Sequence, residues 1–289
     1  MRTRIRRWEV VATSSVGVLS VVASLLGLFR PGHYLDAPAF RPQLFAQDVT
    51  MLVVGVPALA IGLWFAVRGS LRGRFVWLGA LAYMTYMWAS VGLQVAFNQF
   101  FLGYVALFCL SLFTFVGGVV TTDAAEVTEP LVGSLPKRVY AGFLLLVATG
   151  LAFLWLSELV PATLTGTTPR LVEEVDPQAM ASHFIDLSVV VPGLGLSSLW
   201  LWQGRPWGYV LAGVGVVFGA ILAPTLTLGT FLLATGGAVT VSLVSIAFTV
   251  LPALVAAALA VKYVIALPSN SEREAVGEAG EESDAHGGA

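Results

Sequence analysis

Residues Phe75–Thr122 read FVWLGALAYMTYMWASVGLQVAFNQFFLGYVALFCLSLFTFVGGVVTT, 48 positions without one Asp, Glu, Lys or Arg. A helix needs about 20 apolar residues to cross the hydrocarbon of a bilayer. The stretch therefore holds two crossings, Phe75–Ala96 and Phe100–Thr121, joined by a short turn around Asn98 and Gln99. Buried strands of soluble parallel sheets last only about 4–8 residues, which is too short to account for it.

Six further apolar segments flank this pair: Trp8–Phe29, Val49–Val67, Val139–Val160, Phe184–Trp202, Trp207–Leu228 and Val239–Leu267. The fold class is an all-α polytopic membrane protein with about eight transmembrane helices. Residues 1–267 form the membrane domain. The segment Thr230–Ala238, rich in Gly and Thr, is expected at the interface or re-entering the membrane. Composition agrees, because only 11% of residues are charged, against about 25% in soluble domains.

The net charge of −2 hides an asymmetry. Ser269–Ala289 carries six acids and one base, so the rest of the chain is mildly basic. Residues 268–289 have no aromatics and are rich in Glu, Gly, Ser and Ala; such a tail is expected to be disordered and cytoplasmic. Nothing here suits nucleic acid, whose binding rests on dense cationic contacts. The expected partners are the lipid bilayer and either a small molecule or a membrane partner protein. The single cysteine, Cys109, excludes paired-cysteine redox chemistry and cysteine-built metal sites.

Orientation follows from Lys and Arg, which accumulate on the cytoplasmic side. With the N-terminus inside, only Arg30, Arg41 and Arg170 of the 15 bases lie outside. The expected location is the plasma membrane, with both termini cytoplasmic. The first apolar run, about 20 residues, exceeds the 7–15 of a signal-peptide core, so it is read as a span. Two long outer connections follow, Arg30–Asp48 and Pro161–His183.

The second and sixth spans resemble each other. One reads Asp48, then Val56-Pro57, then Leu63-Trp64 before a basic turn; the other reads Asp186, then Val191-Pro192, then Leu199-Trp200 before Gly204-Arg205. Matching acid to acid requires a gap. The pattern suggests a parallel 4+4 duplication with halves 1–122 and 136–267, an arrangement known in transporters, whose sites lie between repeats.

Ionisable groups within membranes are expensive and mark function, yet the predicted span centres hold none. Polar residues gather at the outer end instead. His183 and Asp186 are three apart and share a helix face, and Asp48 opens the second span. Tyr83, Tyr86, Ser90, Gln94 and Asn98 follow at steps of three and four, forming one stripe on the third span. Two readings compete. Asp48, Tyr83, Tyr86, Gln94, Asn98, His183 and Asp186 could line an outward-facing binding pocket. Alternatively, the acids cap helix starts and the stripe makes interhelical hydrogen bonds.

Signatures of catalysis are missing: there is no His-Glu-x-x-His, no P-loop, no dinucleotide fingerprint and no Gly-x-Ser-x-Gly. No metal or other cofactor is implied. The sequence favours a transport or binding protein for a small uncharged or lipophilic molecule entering from the outer face. A non-catalytic subunit or sensor acting through a partner is the alternative.

Overall fold

The computed structural model describes residues 5–169, 172–173, 180–235 and 243–269, with backbone alone over 243–249. The described residues are 82% helix without strands. Eight long helices follow in order: α1 (Arg7–Phe29), α2 (Arg41–Val67), α3 (Leu71–Gln94), α4 (Phe101–Val120), α5 (Lys137–Thr165), α6 (Met180–Trp202), α7 (Pro206–Thr235) and α8 (Leu243–Ala266). The first seven are long and apolar enough to cross a membrane, and α8 is apolar over Val250–Ala266. Their outer faces carry bare apolar side chains such as Phe29, Leu102, Phe153 and Leu164, each at least 75% exposed, as a lipid-facing surface requires. The chain is a helical membrane protein.

Several boundaries differ from the hydropathy reading. The second span begins at Arg41, not Val49, because Arg41-Pro42-Gln43 continues the backbone winding after the apolar run has ended. The seventh helix runs on to Thr235, so Thr230–Thr235 continues that helix; residues 236–238 of the segment expected at the interface or re-entering lie outside the described residues. The acidic tail from residue 270 onward lies outside the described residues.

Two helices form the centre. α3 and α7 have 61% and 50% of their spans buried, against a third or less for the other five spans. They meet where Gly79 admits Val217, and Tyr86 packs edge-on against Phe218 at 5.7 Å.

Helices α2 and α6 share an unusual break. α2 is wound as a π-helix over Met51–Gly55, where the Val56 amide donates to the Met51 carbonyl five residues back, and Pro57 follows. α6 repeats this over Asp186–Val190, with Val191 donating to Asp186 and Pro192 following. Proline supplies no amide, and its ring crowds the carbonyl four residues back; the wider π-turn moves that carbonyl aside. Both turns lead into 12-residue α-segments. Each segment is followed by a glycine in the left-handed region, Gly69 (φ 81°) or Gly204 (φ 72°). Then Gly73 lies against the Phe65–Ala66 backbone, and Gly208 lies against Trp200–Leu201. Every one of these features recurs 135 residues later without a gap.

Candidate functional site

The end of the bundle opposite the N-terminus holds two buried clusters. In the first, Asp48 on α2 is 1% exposed, and the Tyr34 hydroxyl donates to its Oδ2 at 2.8 Å. Tyr34 comes from the α1–α2 connection. Its ring and the Asp48 carboxylate both occupy the space a side chain on Gly27 would fill, so glycine at that place in α1 makes the crevice. The Ser24 hydroxyl stands beside the same carboxylate.

The connection is latched down on either side of Tyr34. His33 Nε2 pairs with the Tyr104 hydroxyl at 2.8 Å, and Tyr104 stacks on Trp88. Asp36 accepts from the Ala96 amide at 2.8 Å, and Arg30 donates to Gln99 at 2.7 Å. Burial, reinforced by the Arg30 charge, holds the His33 pKa below its ordinary 6.5, so the ring is neutral at pH 7. Burial and the adjacent Asp48 charge raise the Tyr34 phenol, which remains a hydrogen-bond donor.

The second cluster lies between α5, α6 and α3. Trp155 Nε1 donates to Asp186 Oδ2 at 2.9 Å, and the Tyr86 phenol faces the same carboxylate. The Trp155 ring lies over His183, with centroids 3.9 Å apart. His183 Nε2 stands 3.9 Å from Glu158 Oε2. Gln94 Nε2 donates to Ser182 at 2.6 Å. Beside His183, a groove of about 460 Å³ runs between α5 and α6, walled by Leu159, Met180, Phe184, Leu187 and Ser188.

The polar stripe of α3 is consumed by these contacts. Tyr83 bonds Thr225, which bonds Thr50, at 3.1 and 2.7 Å, while Tyr86 one turn on serves Asp186. Ser90 donates to the Tyr86 carbonyl. The helix ends at Gln94, so Asn98 lies in the following loop, off the stripe, with its side-chain oxygen accepting from the Phe100 amide at 2.9 Å.

Other expectations are also revised. Neither Asp48 nor Asp186 caps a helix: both sit inside continuous helical winding, and their carboxylates accept from Tyr34 and Trp155. The two acids have different neighbours and form two clusters, not one pocket. The register of the π-turns places His183, not Asp186, where Asp48 stands; Asp186 falls at the place of Met51. The two histidines, His33 and His183, likewise belong to different clusters, and no group of three or more His, Cys, Asp or Glu that could hold a metal occurs among the described residues.

Tyr34, Tyr104 and Trp155 were not legible as site residues. The one signal was the lone tyrosine of the outer connection Arg30–Asp48. Glu9 and Arg74, both buried near the N-terminal end of the bundle, were also missed. Each reads in sequence as an ordinary flanking charge.

No family model, curated protein or solved structure matches this chain.

Proposed function

We propose that the chain is a binding or carrier protein for a small lipophilic molecule, which enters the groove between α5 and α6 sideways from the outer leaflet. The observation that carries the reading is the groove itself. Its apolar walls end at the buried His183, whose Nε2 stands 3.9 Å from the half-buried Glu158, the combination of apolar surface and a few placed polar groups that ligand sites use. The tight packing around Tyr86, Gln94 and Asp186 moves the site away from the bundle axis and toward the lipid.

The reading takes the chain to cross the plasma membrane eight times, with both ends in the cytoplasm. The charge distribution supports this orientation. A cysteine at Ser70, placed in a Cys109→Ser background, should react with an impermeant maleimide only after the cell membrane is opened. Labelling of intact cells would reverse the orientation. The reading also takes the two halves as a parallel repeat, supported by the gap-free recurrence of π-turn, proline and left-handed glycine.

A non-catalytic subunit role draws on a second groove, about 570 Å³, along α1 at Val10, Val11, Ser14, Ser15, Val18 and Leu19. Small hydroxyl residues on a lipid-facing helix suit a partner helix. Photolabelling separates the two. A diazirine-bearing C16 alcohol should mark the peptide 180–188, and Leu159→Trp, which fills the groove, should remove that label. Uniform labelling of all lipid-facing helices would make the groove ordinary lipid contact and favour the subunit role.

A further inference from the structure

A column of buried polar side chains runs the length of the seam between α1, α3 and α4. Helices α1 and α4 lie antiparallel there: the Thr121 hydroxyl is 3.5 Å from Glu9 at one end, and His33 is 2.8 Å from the Tyr104 hydroxyl at the other. Between these ends the buried face of α1 carries Thr13, Ser20 and Ser24, and that of α4 carries Ser111 and Thr114. α3 closes the seam, with Trp77 Nε1 donating to Thr13 at 3.0 Å and Trp88 Nε1 donating to Ser20 at 3.1 Å. At about 1.5 Å per residue, Thr13 stands about 6 Å above Glu9, Thr114 about 10 Å, Ser111 and Ser20 about 15–17 Å, and Ser24 about 23 Å. The ladder ends about 27 Å up, at Gly27, where the Asp48 carboxylate fills the space of a missing side chain and stands beside Ser24. The buried faces of α5 and α8, by contrast, hold no Ser or Thr among the described side chains, so close helix packing in this bundle does not call for them.

We propose that this seam is a proton path, in which single water molecules bridge the hydroxyls between Glu9 and Asp48. Successive rungs are no more than about 6 Å apart along the axis. One water that accepts from one hydroxyl and donates to the next spans about 5.6 Å, two O···O hydrogen bonds of about 2.8 Å each. Two buried groups on the seam point to such waters. Thr114 Oγ1, on a residue 1% exposed, and Arg74 Nη1, on a residue 2% exposed, have no hydrogen-bond partner in the protein, and buried polar groups pair with protein or with ordered water. A proton taken up on one side of each oxygen releases another from its far side, so charge crosses while every oxygen keeps its place and its proton count. At the N-terminal end the half-buried Thr121 links Glu9 to the surroundings, and Glu9 offsets the Arg74 charge that would otherwise repel an incoming proton. At the far end Asp48 meets the half-buried Tyr34 and, beyond it, Tyr104 and His33; Tyr83 of α3 also faces that carboxylate. The path lies within the first four helices and does not depend on the groove between α5 and α6.

The test reconstitutes the full chain in liposomes that enclose the pH dye pyranine, with a potassium gradient and valinomycin setting the membrane potential. The expected result is a pH change driven by the potential at least tenfold faster than in protein-free liposomes. Thr114→Val keeps the shape of the side chain but leaves a step of about 9 Å between Thr13 and the level of Ser111, too long for one water, and should slow the flux at least tenfold. Ser24→Ala, a smaller change, removes the rung below Asp48 and should do likewise. Thr149→Val, on an exposed position of α5, should leave the flux unchanged. A thermal unfolding scan checks that each variant is folded. Flux no faster than in protein-free liposomes would overturn the path, as would equal flux through the unaltered chain, Thr114→Val and Ser24→Ala. Sodium flux of the same size would also overturn it, by making the seam an unselective leak.

Discussion

Replacing Arg74 with methionine is expected to destabilise the protein by about 3–5 kcal/mol, the usual result of removing one member of a buried ionic arrangement. Arg74 is 2% exposed. Its guanidinium donates to Thr122 Oγ1 at 3.0 Å, to the Gly118 carbonyl at 2.8 Å and to Thr121 Oγ1 at 2.9 Å, tying α3 to the end of α4. Thr121 in turn reaches Glu9 of α1 at 3.5 Å, and Glu9 is fully buried. The arginine thus balances a carboxylate that has no access to water and joins three helices. Methionine keeps much of the volume and removes the charge and every donor. The double variant Glu9→Gln, Arg74→Met should recover part of the loss, because the carboxylate left uncompensated by the single change is gone. Unfolding in mixed micelles would measure all three proteins. A loss below about 1 kcal/mol for Arg74→Met, the scale of an exposed pair, would show that the arginine is solvated from the membrane surface and holds nothing together.

Glu9 and Arg74 illustrate where the sequence stops being legible. Hydropathy located the helices, because lipid-facing segments must be apolar along their whole length. It did not locate their ends, since backbone winding continues through Arg41-Pro42-Gln43 after the apolar signal has ended. A charge at the edge of a span reads as interfacial whether it points to water or into the bundle, and only the packing of α1, α3 and α4 decides. The Val-Pro pairs at 56–57 and 191–192 told of a lost amide but not of the adjustment made around it. The matching of Asp48 to Asp186 followed chemical likeness; backbone register instead aligns Asp48 with His183, which sequence comparison alone would score as a mismatch. Tyr34 carried almost no signal, because an aromatic in an irregular connection has no periodicity to reveal which crevice it enters.

That tyrosine gives the second large expected effect. Tyr34→Ala should destabilise the protein by about 2–3 kcal/mol, somewhat below the 3–5 kcal/mol for deleting a fully buried aromatic, because Tyr34 is only half-buried. The loss combines the emptied crevice against Gly27 with the donor taken from Asp48. Tyr34→Phe removes only the donor and should cost about 1–2 kcal/mol, within the roughly 1–3 kcal/mol that leaving a buried acceptor without its donor costs. The alanine variant empties the crevice between Gly27 and Asp48, and p-cresol, the side chain of tyrosine as a free molecule, should bind there. At 100 times its dissociation constant a ligand restores about 2.7 kcal/mol, so millimolar p-cresol should return most of the lost thermal stability. It should do little for the unaltered chain, whose crevice is full, or for Tyr34→Ala combined with Asp48→Leu, which lacks the acceptor. Toluene, with the same ring and no hydroxyl, separates shape from hydrogen bonding. Equal stabilisation of every variant by p-cresol would mean that it acts on the micelle rather than the crevice. In that case Tyr34 would be an ordinary packing residue.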